Sequence, residues 1–210
     1  MAVVALFGAT GKTGRKVFDR LLAAGHKVRV LVRDPAKLGE YNGEVEVVTG
    51  DVLKPADVDR TVAGSDAVLA LFGHVKGSPR DLQTRGTRLI VEAMKSHGVT
   101  RLVTLSGGAL RAKQDHPQVA DRVIVVLMRV MAGHVLTDAE NHLAVLEESG
   151  LDWTVVRAPR LNEESGRGTY RTGWVGVNAS TKISRDDMAD FIVTQVDDRR
   201  FVGQLPFISD

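Results

Sequence analysis

Residues 3–14, Val-Val-Ala-Leu-Phe-Gly-Ala-Thr-Gly-Lys-Thr-Gly, carry an uninterrupted apolar run straight into three glycines. Five consecutive apolar residues suit a strand buried on both faces. A chain leaving such a strand turns sharply into a helix only where no Cβ obstructs it. Gly8, Gly11 and Gly14 meet that need and leave backbone N–H groups and a helix N-terminus free to face an anion. The flank agrees, because Val17, Leu21 and Leu22 share one face of a helix over 12–24. The segment therefore predicts a pyrophosphate cradle. Gly11-Lys12-Thr13 imitates the end of an ATP-binding P-loop, but that motif needs a further glycine where Leu6 stands.

The same alternation continues along the chain. Strand-like runs at 3–7, 27–32, 45–49, 67–72, 101–105 and 153–157 are separated by helical periodicity at 12–24, 55–63, 81–97 and 138–149. Gly25, Gly64, Gly98 and Gly150 stand where helix ends favour positive φ. Right-handed βαβ crossovers then give an α/β fold, a single Rossmann-type doubly wound parallel sheet with helices on both faces, over residues 1–210. Its ligands belong just beyond the C-terminal ends of the strands, with substrate-side loops at 73–80, 107–137 and 160–178.

Composition narrows the function. The 28 basic and 26 acidic residues leave a formal charge of +2 and are interspersed, which speaks against nucleic acid as a partner. No cysteine is present, so disulfides, thiol nucleophiles and thiolate metal sites are excluded, and a reducing, cytoplasmic compartment is expected. Met1-Ala2 leads directly into the first strand without the sections of a signal peptide. The longest apolar stretch, 123–131, is interrupted by Arg129 and falls short of the ~20 residues of a membrane span, so no membrane partner is expected. His26, His74, His97, His116 and His134 are scattered without zinc-ligand spacing, and no metal is expected.

Each strand end contributes candidates. Arg33 follows the second strand, where an acidic residue would bind the ribose of NAD; a guanidinium suits a 2′-phosphate, favouring NADP(H) over NAD(H), with Lys12 nearby. Asp34 would cap the helix opening at Pro35. After the third strand, Asp51 and Val52 would hold adenine by its edge and face, unless Asp51 is a helix cap. Leu71, Phe72 and Gly73 would bring backbone to the cofactor. Ser106-Gly107-Gly108 and Arg157-Ala158-Pro159 would border the nicotinamide.

At this point the chain resembles the atypical short-chain dehydrogenase/reductase group, and most closely the biliverdin reductase B / NADPH-flavin reductase family. GATGKTG at 8–14, LVRDPAKL at 31–38, GDVLKPADVDRTVAGSDAV at 50–68, AMKSHGV at 93–99 and LEESGLDWTVVRAP at 146–159 carry the likeness. The resemblance implies NADPH bound by Gly8, Thr10, Gly11, Lys12, Thr13 and Gly14, with Arg33 on the 2′-phosphate, Asp51-Val52 at the adenine, and hydride transfer to a flat acceptor. The segment 109–137 looks unlike the biliverdin-reducing members.

The Tyr-x-x-x-Lys pair of the wider superfamily is missing, because Tyr41 and Tyr170 are followed at that spacing by Val45 and Trp174. Reducing a ketone creates an alkoxide that needs a matched proton donor, whose loss costs ~10²- to 10⁴-fold in rate. Flavins, quinones and tetrapyrroles delocalise the arriving charge and need mainly proximity. The expected function is thus an NADPH-dependent reductase of a small planar conjugated acceptor. The alternatives are a catalytically inactive NADP(H)-binding redox sensor and, more weakly, a nucleotide-sugar epimerase or dehydratase.

Ser106 is the candidate that bonds the acceptor or the nicotinamide amide, against a turn serine. Arg160 would guide an anionic acceptor, and Tyr170 and Trp174 would form an aromatic wall, unless they belong to a hairpin packed on the C-terminal helix. His142, four residues after Asp138, reads as a proton donor or as a surface histidine beside an acid. Asp138, Glu140, Glu147 and Glu148 read as solvated surface. The apolar helix at 123–131 would roof the acceptor or pair two subunits, leaving monomer and homodimer both open.

Overall fold

The computed structural model describes residues 1–210. The strands β1 (Val3–Phe7), β2 (Lys27–Val32), β3 (Val45–Thr49), β4 (Ala67–Ala70), β5 (Arg101–Gly107) and β6 (Asp152–Ala158) pair in parallel in the order β3-β2-β1-β4-β5-β6. Three-residue strands complete the edge. β10 (Phe207–Ser209) runs parallel to β6, and β8 (Arg171–Gly173) runs antiparallel to β10. A separate two-stranded ladder joins β7 (Arg160–Asn162) to β9 (Lys182–Ser184). The order reverses between β1 and β4, and that switch point is where a doubly wound sheet opens a crevice.

Period-two alternation divides β1 between two cores. Val4 and Leu6 face helices α1 (Lys12–Ala23) and α5 (Arg185–Thr194), packing with Val17, Phe18, Met188 and Ile192. Ala5 and Phe7 face the other layer, with α2 (Pro55–Val62), α3 (Leu82–His97) and α4 (Val119–Glu147), among Val58, Ile90, Met94 and Leu146. Both layers bury apolar side chains completely at the centre of the sheet, where β4 is buried throughout, while the edge strand β3 keeps residues in contact with water. Gly25, Gly64, Gly98 and Gly150 all adopt the positive φ that their helix ends require.

The largest departure from the periodicity is α4. The helix expected from 138 and the apolar helix expected at 123–131 form one element from Val119 to Glu147, broken at Ala132, whose φ of −141° and ψ of 38° are non-helical. Most of the expected loop over 107–137 is therefore helix. Its first half leaves Val119, Val123, Val126 and Val130 more than half exposed, while Leu136, Ala139 and Leu146 of its second half are buried. No helix is long and apolar enough to cross a membrane.

Candidate functional site

The glycine corner is built as a receptor for an anion. Gly8 has a φ of +91°, and a Cβ there would lie 2.7 Å from the carbonyl carbon of Leu71. A Cβ on Gly14 would stand 2.0 Å from the carbonyl oxygen of Gly8. Only glycine closes this strand-turn-helix. Gly11 caps α1 with no side-chain acceptor, and the first turn carries no acidic residue. The N–H groups of Lys12, Thr13 and Gly14 donate to no acceptor in the chain, so the positive end of the helix and its orphan donors face outward together. That arrangement fits a pyrophosphate.

Beside the corner lies a cavity of about 290 Å³, lined by Gly8, Thr10, Arg33, Asp51, Val52, Phe72 and Gly73 among others. Arg33 is exposed and its guanidinium forms no ion pair or hydrogen bond in the chain. Asp34 does not compete for the cavity, because its carboxylate accepts from the N–H of Ala36 and caps the short helix Pro35–Leu38. Asp51 does not cap α2, whose N-cap is Lys54; one of its carboxylate oxygens accepts from the N–H of Leu53 at 2.8 Å, and the residue borders the cavity. Two further residues had no signal in the sequence. Lys76 lines the same cavity and places a second cation near Arg33. Gly86 of α3 makes room for the wall formed by Phe72 and Val52, since a Cβ there would stand 2.7 Å from the ring of Phe72 and 3.2 Å from Val52.

A second cavity, also of about 290 Å³, opens on the other side of Phe72 and Gly73. Its wall is mostly apolar, with Leu71, Leu105, Leu110, Met128, Leu136 and Leu161, interrupted by His74, Gln83 and Ser106. Ala158 and Pro159 close one side. The Ser106 hydroxyl has no partner in the chain, unlike a turn serine bonded to local backbone. Met128 comes from the apolar half of α4 and is the one residue of 123–131 that lines this cavity.

Beneath that wall lies a polar network that local pattern did not show. Asp138 is 2% exposed rather than solvated. Its carboxylate accepts from the N–H groups of Gln83 and Thr84, from the Thr84 hydroxyl, and from the His74 ring at 2.8 Å. Burial alone would raise its pKa, but the hydrogen bonds from Thr84, Gln83 and His74 outweigh burial and hold it below the usual value. His142 is buried rather than on the surface. Its ring nitrogens meet the hydroxyls of Thr87 at 2.8 Å and Thr104 at 3.2 Å, and burial pushes its pKa down to about 4.

Other expected residues lie elsewhere. Lys12 is exposed and pairs with Glu163 at 3.3 Å, away from the cavity that holds Arg33. Arg157, expected at the nicotinamide, is fully buried and bound twice at 2.8 Å by Asp115. Asp115 also accepts from the N–H groups of Ala112 and Val175, tying the segment after β5 to the hairpin at 174–177. Arg160 is exposed on β7 and lines neither cavity. Tyr170 packs edge-on against Phe191 of α5 at 5.7 Å, and Trp174 belongs to the hairpin; neither lines the second cavity. The wall that they were expected to form is supplied instead by aliphatic side chains.

Comparison with known proteins agrees with this geometry. A family model described as NAD(P)H-binding matches residues 8–199. A ceramide reductase of Caulobacter vibrioides is 37% identical over 114 residues, covering 52% of this chain and 36% of that protein. A (4-alkanoyl-5-oxo-2,5-dihydrofuran-3-yl)methyl phosphate reductase of Streptomyces griseus is 34% identical over 155 residues, 74% of this chain and 46% of that protein. The alignments thus span less than half the length of these curated reductases. Among solved structures, a Rossmann-fold NAD(P)-binding family protein from Shigella flexneri superposes with a TM-score of 0.76 at 23% identity, covering 100% of this chain and 94% of that one.

Proposed function

The chain belongs to the NAD(P)H-binding family, and from that premise we propose that it is an NADPH-dependent reductase that delivers hydride to a planar conjugated acceptor, a flavin in the first instance and otherwise a quinone or tetrapyrrole. The observation that carries this reading is the pair of cavities meeting at Phe72-Gly73, one lined by the unpaired Arg33 and the other apolar with an unpartnered Ser106. A dinucleotide laid from one to the other crosses the glycine corner with its pyrophosphate at the N-terminus of α1. When bound, the reduced nicotinamide supplies the hydride.

The chain's own residues do the rest. Arg33, with Lys76 on the same cavity, favours a 2′-phosphate through charge and a planar fork of donors. Val52 and Phe72 offer apolar faces to the adenine. Ser106 and Pro159 border the nicotinamide, and Ser106 offers a hydroxyl to its amide or to the acceptor. Leu71, Leu105, Leu136 and Met128 exclude water and favour a flat, apolar molecule in stacking contact. The names of two relatives as reductases support the reaction class.

The test is oxidation of NADPH in the presence of FMN, against a protein-free control. Saturable, protein-dependent turnover is expected. Saturable coenzyme binding with no acceptor-dependent turnover would instead make the chain a redox sensor.

A further inference from the structure

His74 and Asp138 form a pair on the wall of the acceptor-side cavity that the hydride-transfer reading leaves without a role. His74 lies four residues beyond the end of β4, its side chain is 13% exposed, and it shares the cavity with Ser106 and Pro159. Asp138, from α4, is 1% exposed at its side chain. All other partners of this carboxylate are donors: two backbone N–H groups and the Thr84 hydroxyl. Its depressed pKa keeps it ionised, so it only accepts. The 2.8 Å contact is therefore a hydrogen bond donated by Nε2–H of His74, which fixes the tautomer. Nδ1 has no hydrogen-bond partner in the chain. The other titratable group against the ring is His134 of α4, edge-on at 5.7 Å.

The contrast with His142 is instructive. Both of its nitrogens are occupied by threonine hydroxyls, it is 3% exposed, and it lines neither cavity. His142 is a spacer. His74 has one nitrogen anchored and one free beside the apolar cavity, the arrangement by which a carboxylate orients an imidazole for proton transfer.

We propose that His74, positioned by Asp138, is the proton donor for a further activity of this cavity, the reduction of an α,β-unsaturated ketone. The proposal rests on the reading above, in which the acceptor occupies this cavity beside the nicotinamide. With His74 as the imidazolium, the β-carbon takes a hydride with its electron pair, the C=C π electrons shift toward the carbonyl, and the carbonyl oxygen takes the proton of Nδ1–H, leaving the neutral Nε2–H tautomer. The enol becomes the saturated ketone in water, the coenzyme leaves oxidised, and neutral His74 regains its proton from solvent. A lone Tyr-x-x-x-Lys pair is thus not the only route to a protonated product in this fold.

The experiment compares wild type and His74→Gln with two acceptors, FMN and 4-phenyl-3-buten-2-one. Glutamine can still donate to Asp138, which also retains its three other donors, but it cannot release a proton. The variant is expected to lose about 10²- to 10⁴-fold in kcat with the enone, and a much smaller factor with FMN, whose reduction needs no proton from this residue, so that the ratio of the two activities shifts. The enone profile of wild type should lose rate as one group deprotonates at rising pH, a limb absent from the variant. Independently of turnover, nitrogen NMR of the neutral His74 ring should show the Nε2–H tautomer in wild type. Turnover of FMN but not of the enone by wild type overturns the proposal and leaves the reductase reading standing; turnover of neither overturns both. Equal losses with both acceptors, no loss with either, or an Nδ1–H tautomer also overturn it.

Discussion

Gly86 and the ring of Phe72 are packed so closely that a single methyl group between them would lie 2.7 Å from the ring's Cζ. Phe72, with Gly73, lines both cavities, so this contact fixes the wall that they share. Gly86→Ala should raise the NADPH dissociation constant by about tenfold, in line with ~1–3 kcal/mol of overpacking. The better helix propensity of alanine offsets part of the cost in stability, ~1 kcal/mol. Fluorescence titration beside thermal melting separates the two effects, with affinity expected to change more than melting temperature.

Arg33→Ala should weaken NADPH by about 1.5–3 kcal/mol, the range of a hydrogen bond to a charged group, and leave NADH nearly unchanged. Lys76→Ala should shift the same selectivity by a smaller amount, because lysine offers a point charge rather than a fork. Parallel titration of both coenzymes checks each variant. Equal losses for NADPH and NADH would remove the 2′-phosphate from the account.

The Arg157–Asp115 pair is buried at both ends, with side-chain exposures of 0% and 6%. Asp115→Ala leaves the guanidinium with only carbonyl partners, from Leu205 and Leu110. Breaking such a pair should destabilise the fold by about 3–5 kcal/mol, read by urea unfolding, and should loosen the segment after β5 and the hairpin at 174–177. Burial acts to raise the pKa of Asp115, but hydrogen bonds from Arg157 and from the amide of Ala112 more than offset it and leave it lowered. This contribution is therefore present at neutral pH and lost as pH falls through the folded-state pKa.

His142 gives a separate pH dependence. Burial lowers its pKa from 6.5 to about 4, so between these values the unfolded chain binds a proton that the folded chain does not. Stability should then fall as pH drops from 6.5 toward 4, by at most about 3 kcal/mol. His142→Gln should flatten the dependence of melting temperature on pH between 7 and about 5. An unchanged slope would show that another group governs it.

The glycine corner and the cavity that Arg33 lines were legible because their demands are local. Three glycines after an apolar strand, and a basic residue at the next strand's end, are consecutive letters with a backbone consequence. The acceptor half depends on long-range contacts. Asp138 lies 64 residues from His74, and only the approach of α3 to α4 converts it from a surface acid into a buried anchor. A helical period shows that Asp138 and His142 share a face but not that another helix covers it. Tyr170 reads as an aromatic wall until α5 is in place to bury its ring against Phe191. The four strands after β6 have three residues each, too short for a period to register. The start of α4 was obscured for a different reason: residues 119–131 are apolar around most of the helix, which gives no face to read.

The most direct measurement is equilibrium titration of the wild-type protein with NADPH and, in parallel, NADH. The account predicts saturable binding of both, with NADPH the tighter, because the glycine corner receives the pyrophosphate of either and Arg33 distinguishes the additional phosphate. Failure of both to saturate at millimolar concentration, or tighter binding of NADH, would contradict it.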